Sequence, residues 1–120
     1  MAATFDTLSD ELPHADLLVN ATSAGMSPRS AEMPPVPVEA LREHLFVYDT
    51  VYTPLETRLL REARRRGARG AHGAGMLARQ GAMALEIWTG RQAPFELMQR
   101  VLLRRLTERA KEEAPAGAGN

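Results

Sequence analysis

The stretch Leu45-Phe-Val-Tyr-Asp-Thr-Val-Tyr-Thr-Pro-Leu-Glu56 decides the fold. Its first five residues form an apolar run closed by an acid, the length and composition of a strand covered on both faces. Its last four predict the start of a helix. Thr53 has the hydroxyl of an N-cap, Pro54 is pre-set for the first helical position, and Glu56 can bond back to the cap N–H. From Pro54 the spacing places Leu55, Leu59, Leu60 and Ala63 on one side and Arg58, Arg61 and Arg65 on the other, until Gly67 stops the helix.

Outward from that unit, Asp16-Leu-Leu-Val-Asn-Ala21 reads as another buried strand. Gly25, Pro28, Pro34, Pro35 and Pro37 then break any regular element, so a long loop joins the two strands. Before residue 16 the signal is weak, with one short helical turn after Ser9. Residues 68–72 supply a third short strand, although Ala-Arg-Gly-Ala-His is poor strand material by propensity. A second helix is predicted from Met76 to about Thr89, ended by Gly90. Pro94 opens a third, striped by Phe95, Met98, Val101, Leu102 and Leu106 and running to about Arg109. Strand, loop, strand, helix, strand, helix is the alternation of an α/β chain with a parallel sheet.

Composition narrows the chemistry. At 120 residues, 44% hydrophobic and 25% charged, the chain is a single globular domain in size and class. The absence of Cys excludes thiolate nucleophiles, iron–sulfur clusters, CxxC zinc sites and disulfide scaffolds. No secretory signal or membrane-length apolar run is evident, so a cytoplasmic address with no membrane partner is expected. The formal net charge is zero, but residues 1–49 hold eight acids and two bases, while residues 50–120 hold seven acids and thirteen bases. Fourteen of the bases are Arg, and Lys111 is the one candidate for lysine chemistry.

Four features carry candidate chemistry. In Asn20-Ala-Thr-Ser-Ala-Gly-Met26 a strand exits into small hydroxyl-bearing residues, where open α/β sheets place ligands; an ordinary Asx or ST turn reads the same way. Tyr52, after the next strand end, offers a phenol to a polar ligand or is simply packed with its hydroxyl outward. Gly73-Ala-Gly75-Met-Leu-Ala78 matches a dinucleotide fingerprint weakly, because no second strand-helix-strand unit follows it. Gln80 points its amide from an apolar stripe that includes Leu77, Gly81, Ala84 and Trp88. A buried amide there needs a ligand or a neighbouring backbone group as partner.

Taken together, Asn20-Ala-Thr-Ser-Ala-Gly-Met26, Tyr48-Asp-Thr-Val-Tyr-Thr-Pro-Leu-Glu-Thr57, Gly73-Ala-Gly-Met-Leu-Ala-Arg-Gln-Gly-Ala82 and Trp88-Thr-Gly90 resemble the C-terminal half of shikimate dehydrogenase, over about residues 10–106. The resemblance implies the last three strands of a Rossmann-type parallel sheet followed by C-terminal helices. Residues 1–90 would complete the NADP-binding domain, 91–110 would be the C-terminal helix and 111–120 a tail. It implies NADP as cofactor, with Ala21, Thr22 and Ser23 near the nicotinamide, Thr50 and Gly73 giving backbone contacts and Met76 beside the ring. Tyr52 and Gln80 match the residues that contact shikimate or 3-dehydroshikimate. Three departures stand out: Thr50 where an apolar residue is usual, Arg58 where Pro is frequent, and His72-Gly73-Ala74 where Asp-Gly-Leu is common.

The catalytic Lys and Asp implied by the resemblance belong to an N-terminal domain, and Lys111 matches no motif of the family, so no catalytic residue and no metal ligand is assigned here. The Gly-rich phosphate loop has no counterpart either. The expectation is a segment inactive alone, with self-association or pairing with an N-terminal domain and no nucleic-acid partner. The alternative is a noncatalytic partner-binding domain or remnant.

Overall fold

The computed structural model describes residues 2–114 and divides into two units, residues 1–73 and 74–120. The first unit begins with a run of short turns: a 3-10 turn at Phe5–Thr7, α1 (Leu8–Glu11) and a second 3-10 turn at Leu12–His14. Next come β1 (Leu17–Asn20), a 3-10 turn at Val38–Ala40, β2 (Phe46–Asp49), α2 (Arg58–Arg65) and β3 (Arg69–His72). The strands pair parallel in the order β1-β2-β3, so Asn20, Asp49 and His72 lie in one row across the sheet. Leu18, Val47 and Gly70 form the row beside it, two residues back on the same face.

That face carries the core. Val47 is fully buried among Leu12, Leu41, Leu45, Leu59 and Ala63. Leu59 and Ala63, one turn apart, are the buried stripe of α2, and Leu60 reaches the sheet at Gly70. Gly70 is needed there: a Cβ would lie 2.8 Å from both the Leu60 Cδ2 and the Val47 carbonyl oxygen. Close helix-to-strand packing outweighs the poor strand propensity of residues 69–72.

Two expectations change in the first unit. The helix starts at Arg58, with Thr57 and not Thr53 as its N-cap. Thr57 is the better cap because its hydroxyl, fixed by a buried partner, accepts from the Leu60 N–H, while Glu56 turns outward to ion-pair with Arg64 at 2.8 Å. β1 is also not covered on both faces. Leu17 and Val19, on the face opposite Leu18 and Asn20, remain 56% and 49% exposed. An apolar run encodes what a strand prefers, not whether a layer is present to cover it.

The second unit holds α3 (Ala74–Thr89) and α4 (Phe95–Glu112), which pack on each other. Gly81 admits the Met98 methyl group, and the Arg79 guanidinium lies 3.5 Å from the Phe95 ring centroid. The reversal between them is tied by the Ala93 N–H donating to Glu86 Oε1 at 3.0 Å, with Gly90 at φ +65°. α4 enters the stretch expected to be tail, whose residues 115–120 lie outside those described. The contact division falls ahead of α3, after Gly73. Among the described residues no helix is long and apolar enough to cross a membrane.

Trp88 is 80% exposed, as is Ile87. The lone tryptophan should therefore show red-shifted emission and ready quenching by acrylamide in the purified chain. Blue-shifted, protected emission would mean that the end of α3 is covered in solution. Leu59→Ala should lower the unfolding free energy by about 2–5 kcal/mol in urea titration, because the core around it is closely filled.

Candidate functional site at the carboxyl ends of the strands

Parallel strands deliver all their carboxyl ends to one edge, and polar residues close β1 and β2 there: Asn20 and Asp49, both buried. Asp49 is fully buried and accepts three hydrogen bonds. Asn20 Nδ2 and the Val51 N–H each donate to its Oδ1 at 3.0 Å, and the Thr57 hydroxyl donates to its Oδ2 at 2.7 Å. A carboxylate removed from water is tolerated only with such partners. No buried side-chain nitrogen or oxygen among the described residues lacks a partner.

Asn20 passes this anchoring to the loop beyond β1. Its Oδ1 accepts from the Thr22 N–H at 3.1 Å and from the Thr22 hydroxyl at 2.7 Å, an Asx turn reinforced by the side chain it holds. Thr22 Oγ1 in turn accepts from the Ala24 N–H at 3.2 Å. Ala21, Thr22 and Ser23 are exposed on this braced turn, and the Ser23 hydroxyl makes no hydrogen bond among the described residues. Thr50 follows β2. Its N–H and hydroxyl both donate to the Asn20 carbonyl, at 3.0 and 2.8 Å.

Gly73 follows β3, and its N–H donates to the Val51 carbonyl at 3.3 Å. A Cβ on Gly73 would stand 2.0 Å from the Thr50 carbonyl oxygen, an impossible approach, so only glycine lets this corner pass. The weak Gly-x-Gly match thus has a packing cause, and Gly73 does not offer the free N–H that a phosphate cradle needs.

The structure therefore brings Ala21, Thr22, Ser23, Thr50 and Gly73 to one sheet edge, with Tyr52 half-buried in the segment leaving it. Met76 and Gln80 stand on α3 of the second unit. Gln80 is exposed, contrary to the expectation of a buried amide. At about 100° per residue, the buried stripe Ala74, Ala78 and Ala82 lies on the opposite side of α3 from Met76, Gln80, Met83 and Ile87. Trp88 and the half-buried Leu77 and Ala84 do not enclose the amide. Among the described residues no three or more His, Asp or Glu side chains gather where they could hold a metal.

Comparison with known proteins points mainly to one family. Residues 73–103 match the model of the shikimate 5'-dehydrogenase C-terminal domain. The NADP(+) shikimate dehydrogenase of Natronomonas pharaonis is 55% identical over 97 residues, 81% of this chain and 36% of that protein. That of Methanopyrus kandleri is 48% identical over 101 residues, 84% of this chain and 35% of that protein. The crystal structure of the Thermus thermophilus shikimate 5-dehydrogenase with NADP(H) and shikimate superposes at a TM-score of 0.73 with 39% identity, covering 82% of this chain and 36% of that one. The chain is a C-terminal segment of the shikimate dehydrogenase family. It spans about a third of the length of these relatives. The fold is shared with enzymes of other names. A quinate dehydrogenase from Corynebacterium glutamicum in complex with NAD superposes at 0.78 with 30% identity, covering 87% of this chain and 36% of that one.

Sequence reasoning alone offers Asn20 only the Asx turn that the structure shows, gives Asp49 no role and passes over Thr57. The available signal is the pairing of two strand-ending polar residues that fall in register, with a hydroxyl residue one helix start away. Asp49→Ala would leave three buried donors without their acceptor. It should cost about 3 kcal/mol or more in urea unfolding, and Thr57→Val less. In Thr57→Val the amides of Thr22 and Ala24 should exchange faster than those of Val47, because the loop is loosened ahead of the core. Uniform acceleration would refute the anchoring role.

Proposed function

We propose that this segment forms the nicotinamide and substrate wall of an NADP-dependent shikimate dehydrogenase, an oxidoreductase that reduces 3-dehydroshikimate to shikimate in the cytoplasm. The observation that carries the reading is the braced turn Ala21-Thr22-Ser23, exposed beside Thr50 and Gly73 at the carboxyl edge of a parallel sheet. Small residues on a fixed turn let a flat ring lie against backbone, and the open Ser23 hydroxyl can meet a carboxamide.

The residues fit one end of the cofactor only. NADP would be held at its nicotinamide by Ala21, Thr22, Ser23, Thr50, Gly73 and Met76, and in its reduced form would supply the hydride. Its phosphates need a Gly-rich loop that this sequence does not contain. Tyr52 and Gln80 would bind shikimate or 3-dehydroshikimate through a phenol and an amide, both suited to a polyhydroxylated ring. The exposure of Gln80 leaves its amide available to such a ligand. The proton exchanged with the substrate oxygen would come from the Lys that the family resemblance assigns to an N-terminal domain.

This chain alone should give no detectable NADP-linked oxidation of shikimate, since a missing general acid costs about 10²–10⁴ in rate before the loss of phosphate binding is counted. Turnover by the isolated chain that disappears in Tyr52→Phe or Gln80→Ala would overturn that expectation. A chimera in which residues 10–106 replace the matching segment of a full-length shikimate dehydrogenase should be active. In it, Tyr52→Phe and Gln80→Ala should raise the KM for shikimate by a much larger factor than the KM for NADP. Equal effects on both would remove the substrate assignment.

A second reading, a noncatalytic module that self-associates or pairs with another chain, is favoured by the exposed Leu17, Val19, Ile87 and Trp88. Sedimentation and urea unfolding of the purified chain separate the two: a monomer that unfolds cooperatively supports a module that folds alone, and concentration-dependent association or a non-cooperative transition supports a segment that lacks its N-terminal domain.

A further inference from the structure

We propose that the outer edge of β3 is a docking groove for an extended acidic peptide, separate from the strand-end site. A cavity of about 640 Å³ runs along this edge and is lined by every residue of β3, Arg69 to His72. Its apolar walls are Phe46, Leu55 and Leu60, and it is also lined by Arg64 and Glu56, which pair with each other at 2.8 Å and leave Arg69 as the arginine of the lining without a carboxylate partner among the described residues. In a doubly wound sheet of order 3-2-1-4-5-6 the sixth strand is outermost, so β3, the last of three, is an edge strand whatever precedes β1. An edge strand in an apolar groove is the setting in which an extended peptide adds as a further strand, with its backbone giving affinity and alternate side chains giving selectivity.

The charge around the groove selects the partner. Arg64, Arg65, Arg66 and Arg69 crowd the end of α2 and the start of β3, with Arg61 one turn back on the helix and beside Glu56. Glu56 takes Arg64 and Glu62 takes Arg65, whereas Arg66 and Arg69 have no carboxylate partner among the described residues. Of those two, Arg69 lines the groove and Arg66 does not. An occupant with acids alternating with branched apolar residues would pair with Arg69 on the face that carries Phe46 and lay its apolar side chains on Leu55 and Leu60 on the other face. A lone charge on an edge strand also guards against aggregation, but guarding requires neither a groove nor apolar walls.

The test uses the full chain and an acetylated pentapeptide, Asp-Val-Glu-Ile-Asp, labelled with fluorescein, followed by anisotropy at low ionic strength. Saturable binding is expected. Arg69→Glu should weaken it by about tenfold or more, and Arg66→Glu, the same charge change outside the groove, much less. Methylating alternate peptide nitrogens should abolish it. Both arginines are exposed, and circular dichroism checks that the variants fold; Arg69→Gln serves if Arg69→Glu does not. Equal loss in the two arginine variants would replace the groove by a diffuse basic surface. Binding that survives N-methylation would replace strand addition by simple anion binding. No binding by the folded chain would end the proposal. None of these readouts depends on dehydrogenase activity.

Discussion

One buried carboxylate organises the region on which the functional reading rests. Asp49 is fully inside the first unit, and its oxygens are held by Asn20, Val51 and Thr57. These partners come from the end of β1, the exit of β2 and the start of α2, so one side chain ties the neighbouring strand, 29 residues away, to the turn that leads from β2 into the helix. Hydrogen bonds to a charged acceptor are stronger than neutral ones, and each would be costly to break with its donor left buried. The exit of β2 and the first turn of α2 are thereby fixed together. That is why the helix begins at Arg58: Thr57 is the hydroxyl residue that can cap Leu60 and hold Asp49 with the same oxygen.

The same constraint explains how an exposed loop can be well defined. Surface turns of small residues are usually the least ordered parts of a domain. Here the turn after β1 inherits its geometry through Asn20, whose amide nitrogen is fixed on Asp49 and whose oxygen holds Thr22. Two glycines complete the arrangement by close approach. Gly70 lets Leu60 reach the sheet, and Gly73 lets the chain leave β3 against the Thr50 carbonyl. A pre-formed turn binds a ligand without first having to be ordered, which is the advantage of placing such residues on a rigid sheet edge.

Much of this is legible in the sequence, and the failures have physical causes. The apolar runs at 16–21 and 45–49 give β1 and β2, and even the poor third strand follows from alternation. The local pattern misplaces the helix start because Thr53-Pro-Leu-Glu56 satisfies the capping rules, while the actual cap depends on a tertiary partner that no local pattern contains. Leu77, Gly81 and Ala84 surround Gln80 in helical projection, which suggests a buried amide. The buried side is instead the alanine stripe Ala74, Ala78 and Ala82. Apolar size suggests a buried face, but two helices in close contact bury their small residues. The roles of Asn20 and Asp49 need strand register, which a single sequence does not supply.

Thr50 shows how a departure from a family pattern can leave the presented chemistry unchanged. A threonine where an apolar residue is usual would ordinarily bring a hydroxyl to the site. Its hydroxyl is instead turned back on the Asn20 carbonyl at 2.8 Å, alongside the Thr50 N–H on the same acceptor. The substituent left over is a methyl group, the one threonine shares with valine. The substitution therefore adds a bond that ties the ends of β1 and β2 together without adding a free polar group at the sheet edge. Whether a polar residue alters a site depends on where its hydrogen bond is made, and here it is made to the scaffold.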